Sequence, residues 1–584
     1  MSYELMFKNA VALHEAGQFE QAENLYRQIL ETAPGQPDVL NLLGLIAQVK
    51  GAQNEAVSLF MQALKSKPNE VSYIYNLAFS FKLMKKDVEA KDCFLKVIQI
   101  NPLIKEAFNE IALLFLQDND LQMARKYWKN AIDLDARYYE ARANMAFSYR
   151  IDNMGKAIED LERLGQEASE EAIVFFYLAK LYMEKQLWDK AWTSAVKAKN
   201  LAPTSDEVRV LLGLLSCQEN KVDNAKIYFT KAEILNPNNV AAIMGLADLY
   251  SRESNYAEAE KRYRRVIELD AKNFDAHNNY AEMLQKSGRL SEALEEYRAA
   301  VLINPTSAEV SNNLGVILRD LGEYDEALGL MFNALNLNPS LDEISVNIIE
   351  TLTMLAYQDV DKASLIAKNW QKKYSDNVFA KKICAVLEGK NSEVDKVYSK
   401  KLFDNFADNY ELVMQNLGYS IPMAMAGIVG YVQGRIVDLG CGTGLVGAVI
   451  KNDENYIIGV DISQNMLQEA AKKKVYDELV CADIVEYLEQ NHDFDWVFAA
   501  DVCGYISDID AVIKELKNKK IVFSIEVTDE VLKCKTGISG RYMHNPEHIE
   551  KVLQQNGFDD ICKHELVLRS EKGQPVKGMI FVAQ

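Results

Sequence analysis

The sequence predicts two architectures in series. Residues 1–388 predict an all-α superhelix of repeated helix pairs, 396–584 a mostly parallel α/β sheet, and 389–395 the linker between them. Three observations carry this. Alanines recur every 34 residues, with one step of 33, from Ala22 to Ala327. Beyond residue 395 short apolar runs alternate with amphipathic stretches, the pattern of a doubly wound sheet. Finally, Arg435-Ile-Val-Asp-Leu-Gly-Cys-Gly-Thr-Gly-Leu445 passes from an apolar strand through a glycine loop into a helix.

The alanine ladder (Ala22, Ala56, Ala90, Ala124, Ala157, Ala191, Ala225, Ala259, Ala293, Ala327) falls in the second helix of each unit, where a small side chain lets two helices cross closely. A bulky residue four places on, such as Tyr26, Phe60, Trp128 or Tyr263, fills the remaining space. Gly17, Gly51, Gly288 and Gly322 share a register with Lys85, Asn119, Gln186, Asn220 and Ser254, which are expected as left-handed stops of the first helices. Prolines at Pro34, Pro68 and Pro305 end second helices. Ten units are clear, 340–374 predicts a stretched eleventh, and 376–387 a capping helix. The unit at 151–166 is one residue short, so an irregularity is expected there.

This period resembles the tetratricopeptide repeat. The resemblance implies a concave groove that holds a protein or peptide partner, and the acidic balance of the array favours a basic one. Asn76, Asn144, Asn279 and Asn313 share one register. They resemble the asparagine ladder of the O-linked N-acetylglucosamine transferase repeats, in which amides hold an extended peptide. They also fit the solvated face of amphipathic helices, which needs no ligand.

In the second region strands are expected at 435–439, 456–461, 478–482, 494–500, 520–526, 561–568 and 576–582, the last two as an antiparallel hairpin. Helices are expected near 396–432, from 444, and at 463–474, 484–490, 507–517 and 546–556. The last is introduced by Asn545 and Pro546, a capping side chain followed by proline in the first turn.

The spacing Asp438-Leu-Gly-Cys-Gly-Thr-Gly444 is G-x-G-x-G after an acid, which departs from the dinucleotide fingerprint. It resembles the signature loop of class I S-adenosylmethionine-dependent methyltransferases. The resemblance continues through Tyr456-Ile-Ile-Gly-Val-Asp461, Leu479-Val-Cys-Ala-Asp483 and Phe494 to Asp501, and implies a Rossmann-like seven-stranded domain with S-adenosylmethionine as cofactor. Its cofactor-binding residues would be Tyr410, Asp438, Gly440, Cys441, Gly442, Gly444, Asp461, Ile462, Met466, Ala482 and Asp483. In this picture Asp438 attracts the amino group, Asp461 takes the ribose hydroxyls, Asp483 accepts from the adenine amine, and Tyr410 reaches the carboxylate. Met466 and Ile462 pack the adenosine. Each strand-end acid also fits a helix cap. The segments 539–545 and 568–576 resemble a bacterial branch in which this domain follows tetratricopeptide repeats.

In open α/β sheets the acceptor meets the cofactor beyond the carboxyl ends of the strands. That singles out Asp501, Tyr505 and His544 as catalytic candidates, with Asp501 or His544 as base, and Arg541 and Tyr542 as substrate contacts. His544 also fits a brace for the helix start. With His548 it makes no metal pattern, so no metal is expected. After the fourth strand stands Asp501-Val-Cys-Gly504, without the Asn/Asp-Pro-Pro-aromatic loop used on amide nitrogens, and Cys503 lacks the preceding proline of the covalent pyrimidine route. An oxygen acceptor is preferred.

The net charge of −20 is shared. Residues 396–584 hold 20 Lys and Arg against 28 Asp and Glu, a balance of −8 that leaves −12 for the first 395. Two acidic regions argue against nucleic acid as partner. Eight scattered cysteines without a C-x-x-C pair suit reduced thiols, and no apolar run is long enough for a bilayer span, so a cytoplasmic protein is expected. The leading reading is a methyltransferase that recruits a protein or peptide substrate through its repeats. A small acid as acceptor, with repeats used for assembly, is the second. A repeat scaffold whose sheet domain only senses cofactor is the third.

Overall fold

The computed structural model describes residues 3–528, 530, 533–571 and 574–584. The chain forms two compact units, 1–271 and 272–584. In the first, eight helix pairs run from Tyr3–Glu15 with Phe19–Thr32 to Val240–Arg252 with Tyr256–Leu269. Every alanine of the ladder is fully buried, and Phe60, Phe94 and Trp128 fill the space beside it. Between the helices of each pair the stop register is left-handed, with φ of 57–60° at Lys85, Asn119, Gln186, Asn220 and Ser254 and above 70° at the glycines. Only the short unit departs, as its missing residue requires. Helix Tyr139–Ser148 runs into the 3-10 turn Tyr149–Ile151, and Asn153 caps the next helix by accepting from Lys156 N–H at 3.0 Å.

The second unit begins with three more pairs, Phe274–Lys286 to Val360–Lys373, and the capping helix Val378–Leu387. The eleventh pair is stretched because Asp342–Ala356 has 15 residues where Ala308–Asp320 has 13, and the small buried residue recurs at Ala363. These last repeats join the sheet unit through helix Asp395–Phe406. Lys401 donates to Asp342 at 2.8 Å, and the Phe379 and Tyr398 rings meet edge to face. Between the capping helix and Asp395–Phe406, in the expected linker 389–395, Ser392 N–H points at the Tyr542 hydroxyl.

Among the described residues the sheet has nine strands: β1 Gly434–Leu439, β2 Asn455–Asp461, β3 Glu478–Cys481, β4 Trp496–Ala499, β5 Lys520–Val527, β6 Cys534–Thr536, β7 Tyr542–His544, β8 Ile561–Glu571 and β9 Gln574–Ala583. Parallel strands run in the order β3-β2-β1-β4-β5, and β9 then pairs antiparallel with β5 and with β8. Seven of the nine match the strands expected from the sequence. The others, β6 and β7, form an antiparallel ribbon whose β7 pairs with Glu526 and Val527 of β5. Since β9 occupies the opposite side of β5 there, β7 takes the place left where β4 ends at Ala499. Alternating side chains feed two cores. Val437, Ile458, Val497 and Phe523 face one way, and Ile436, Ile457, Phe498 and Val522 the other. Lys572 and Gly573, within the segment 568–576, lie outside the described residues.

Among the described residues no single helix is long and apolar enough to cross a membrane.

Candidate functional site

A cavity of about 310 Å³ opens beyond the carboxyl ends of the parallel strands, where strand order reverses between β1 and β4. Its floor is the glycine loop. Gly440 and Gly442 line it with φ of 66° and 54°, so the main chain itself forms the wall. A Cβ on Gly440 would lie 2.5 Å from Val502 Cγ2, whereas one on Gly442 would meet nothing nearer than Tyr410 Cε1 at 3.9 Å. Gly444, at φ 91°, starts helix Leu445–Ile450 and packs against Tyr476, away from the cavity.

Asp461 closes the loop from the side. Its Oδ2 accepts from Gly442 N–H and its Oδ1 from Ser463 N–H, both at 2.8 Å. Each carboxylate oxygen accepts two hydrogens, so one site per oxygen is left, matching a pair of vicinal hydroxyls. Burial pushes its pKa up, against the pull of these two N–H groups. Ile462 and Met466 add an apolar wall, and Tyr410 covers the loop. Asp483 both lines the cavity and caps helix Ile484–Gln490 through Oδ1, which accepts from Val485 and Glu486 N–H; Oδ2 stands 3.8 Å from Lys396 Nζ.

Four of the residues expected at the cofactor are not among the cavity lining. Asp438 is fully buried under the loop, where Tyr476 donates to its Oδ2 at 2.6 Å, while Oδ1 has no partner among the described residues. Burial pushes its carboxyl up to about 7. Cys441 turns onto β2 opposite Gly459, where a Cβ would be 3.0 Å from its Sγ, and Ala482 serves through its N–H, which donates to the Asp461 carbonyl.

At the acceptor end the structure builds a buried ion cluster. Arg541 donates to Asp501 Oδ1 at 2.5 Å, to the Tyr505 hydroxyl at 2.7 Å, and to Glu526. Arg569, on β8, donates to Glu526 at 2.6 Å and to Asp501 at 3.3 Å. Asp501, Tyr505 and Arg541 all line the cavity. Burial raises Asp501 while both guanidinium groups pull it down; burial also opposes ionisation of Glu526, yet the same two arginines hold it below its usual value. Asp501 is therefore an ion-pair partner of both arginines, which meet at its Oδ1, while among the described residues its Oδ2 has only Arg569, at 3.5 Å.

Two expected residues lie elsewhere. His544 is fully buried on β7, where Nε2 stands 2.9 Å from the Cys503 carbonyl, and burial lowers its pKa. It is not among the cavity lining, and Asn545 caps the following helix by accepting from His548 N–H. Tyr542 is likewise fully buried and not among the cavity lining, with its hydroxyl donating to Asp395 at 2.5 Å. Alternation along a strand explains both, since β7 turns these two side chains inward.

The roof was missed by sequence reasoning. Helix Asp395–Phe406 sends Asp395, Lys396, Ser399 and Phe403 into the cavity. Their spacing of one and two helical turns was a readable signal, but one shared with any amphipathic helix. Asp404 pins this roof by accepting from Ser463 Oγ at 2.6 Å. Among the described residues no group of three or more His, Cys, Asp or Glu side chains gathers to hold a metal ion.

In the first unit, the asparagines knit neighbouring repeats. Asn76 donates to Asn41 at 3.0 Å; Asn144 donates to Asn109 at 3.0 Å and accepts from Tyr177 at 2.6 Å. Asn144 is 4 % exposed, so its amide is committed to the fold. In the second unit Asn278 donates to the half-buried Asn279. Asn313 lines a groove of about 1070 Å³ together with Glu282, Glu309, Glu343 and Asn409, the last adjacent to Tyr410 of the cofactor cavity.

Comparison with known proteins bears on both regions. Residues 436–519 match the model of a methyltransferase domain, and residues 13–79, 244–308 and 284–339 match models of the tetratricopeptide repeat. The type IV pilus assembly protein PilF of Pseudomonas aeruginosa is 26% identical over 153 residues, covering 26% of this chain and 60% of that protein. The superkiller complex protein 3 of Homo sapiens is 23% identical over 252 residues, 42% of this chain and 16% of that one. The 18S rRNA (guanine-N(7))-methyltransferase of Bos taurus is 37% identical over 49 residues, 8% of this chain and 17% of that one. The chain thus spans less than two thirds of each of these relatives. Among solved structures, a tetratricopeptide repeat protein of Parabacteroides merdae is 19% identical with a TM-score of 0.38, over 41% of this chain and 95% of the other. Yeast Tom70 is 16% identical with a TM-score of 0.34, over 63% and 99%.

Proposed function

We propose that this chain, which joins tetratricopeptide repeats to a methyltransferase domain, moves a methyl group from S-adenosylmethionine to an oxygen of a protein or peptide held by its last repeats. One observation supports the cofactor above all: Asp461, fixed by two backbone N–H groups, keeps one acceptor site on each oxygen beside a bare glycine wall and the apolar Ile462 and Met466. This donor and acceptor set fits an adenosine with its ribose hydroxyls. When bound, the cofactor supplies an activated methyl group on sulfonium, so the protein needs chiefly to align a nucleophile.

The acceptor end favours a nucleophile that is already ionised. Asp501 is tied to Arg541 and Arg569, and His544 is not among the lining, so neither of the two expected bases stands unpaired in the cavity to strip a hydroxyl. A carboxylate needs none. Tyr505, whose oxygen accepts from Arg541, keeps its own hydrogen to direct at such an oxygen.

Recruitment is supported by the groove at Asn313. Its Glu282, Glu309 and Glu343 suit a Lys- or Arg-containing segment, and Asn409 at its edge leads to Tyr410. Tethering there raises the local concentration of the acceptor. The test is transfer of labelled methyl from S-adenosylmethionine by the full chain to basic peptides carrying Asp or Glu. Base-labile label, lost when Glu309 and Glu343 are both changed to Lys, supports the reading; base-stable label on nitrogen refutes the oxygen acceptor.

A further inference from the structure

The roof of the cofactor cavity is braced by the repeats. Helix Asp395–Phe406 has two working faces: Asp395, Lys396, Ser399 and Phe403 line the cavity, while Tyr398, Leu402 and Phe406 pack into the core that includes Phe379 and Ile383 of the capping helix. At the start of this roof stands one lysine from that capping helix. Lys382 is 4 % exposed and donates to Asp395 Oδ1 at 2.6 Å, while Tyr542 donates to Oδ2 of the same carboxylate. The ammonium lies 4.9 Å from the centre of the Tyr542 ring and 5.5 Å from that of Tyr398. The β6–β7 ribbon leans on the same side chain, for a Cβ built on Gly540 would be 3.6 Å from Lys382 Cε. Arg541, between Gly540 and Tyr542, is the residue that reaches Asp501 and Tyr505.

We propose that Lys382, a residue of the repeat array, is a positioning residue for methyl transfer. Through Asp395 it sets the roof helix over the cofactor, and through Tyr542 and Gly540 it sets the ribbon that presents Arg541. The repeats thus brace the catalytic centre as well as offering a recruiting surface, and the sheet domain cut free at residue 390 keeps its roof helix but loses the lysine and the apolar core that hold it. Nothing in Lys382 touches a ligand, so its effect is carried by Asp395 and Tyr542. Removing the ammonium leaves a half-buried carboxylate without its cation, which the first turn of the roof must then adjust to.

This inference rests on the cofactor reading above. The test uses the full-length chain and S-adenosylmethionine as titrant, read by calorimetry well below each variant's unfolding midpoint. Lys382→Met weakens cofactor binding about tenfold or more, and Lys382→Arg stays within about threefold of wild type. Lys401→Met, which removes the more exposed ion pair that joins the same roof helix to Asp342 of helix Asp342–Ala356, lowers the unfolding midpoint but leaves affinity within about twofold. Should Lys382→Met fail to fold, Asp395→Asn, which keeps the side chain's shape, carries the same expectation of weakened binding. Unchanged affinity in either folded variant, with only the midpoint lowered, overturns the proposal alone. Absence of binding in wild type overturns the cofactor reading and this inference together.

Discussion

Gly442 N–H donates to Asp461 Oδ2 at 2.8 Å, so the glycine loop after β1 and the acid that ends β2 are one hydrogen-bonded object. The loop's shape and the carboxylate's aim are set together, and substitutions at the two places report on different costs. At Gly440 the cost is steric and conformational, since φ is 66° and Val502 occupies the position a Cβ would need.

Gly440→Ala is therefore expected to lower unfolding stability by about 2–4 kcal/mol, from overpacking together with left-handed backbone. Gly442→Ala, with only the backbone cost, is expected to lose about 1 kcal/mol. Urea unfolding of both variants checks the order, and equal losses would contradict the packing at Val502.

Asp438 gives stability a pH dependence. Burial raises its folded pKa to about 7, while the unfolded chain has an ordinary carboxyl near 3.9. The folded state holds a proton that the unfolded state has released, so this contribution is full below about pH 4 and is lost as pH rises through about 7. Wild type should lose stability relative to Asp438→Asn between pH 5 and pH 8, by an amount on the order of a few kcal/mol. Parallel curves for the two proteins across that window would contradict the assignment.

Tyr505 separates orientation from binding. Its ring packs edge to face on Phe403 at 4.9 Å and its hydroxyl accepts from Arg541. Tyr505→Phe keeps the ring and should reduce the rate of methyl transfer about tenfold to a hundredfold, while cofactor affinity changes less than about threefold. A fall in affinity without a fall in rate would place the hydroxyl at the cofactor instead.

Asn144 tests what the asparagines do. With its amide bonded to Asn109 and Tyr177 inside the repeats, Asn144→Ala should cost about 1–3 kcal/mol of stability and leave binding of a basic peptide unchanged. Lost peptide affinity at full stability would restore the ladder of peptide contacts.

The repeats were legible because each of their features is local. A 34-residue period fixes where a small residue must sit, and the left-handed stops could be read even where Lys85 or Gln186 stands in place of glycine. Glycine loop, strand order and Asp461 were legible for the same reason, since each is a short motif at the end of an apolar run. What escaped depends on contacts far apart in sequence. Asp501 looked like a free strand-end acid, and nothing near it announces Arg569, 68 residues on, as its partner. The segment around Tyr542 carries a strand of three residues, too short for periodicity to mark, so which of Arg541, Tyr542 and His544 faces the cavity was undetermined until the ribbon's pairing with β5 was seen. The roof helix reads as an ordinary amphipathic segment, and only packing shows that its polar face meets a ligand cavity and its apolar face the repeats.

The most direct measurement is calorimetric titration of the full-length protein with S-adenosylmethionine, alongside Asp461→Ala. One site per chain is predicted in wild type, weakened at least about tenfold in the variant, because two charge-assisted hydrogen bonds to the ribose are lost. Absence of heat in wild type, or equal affinity in Asp461→Ala, would contradict the account.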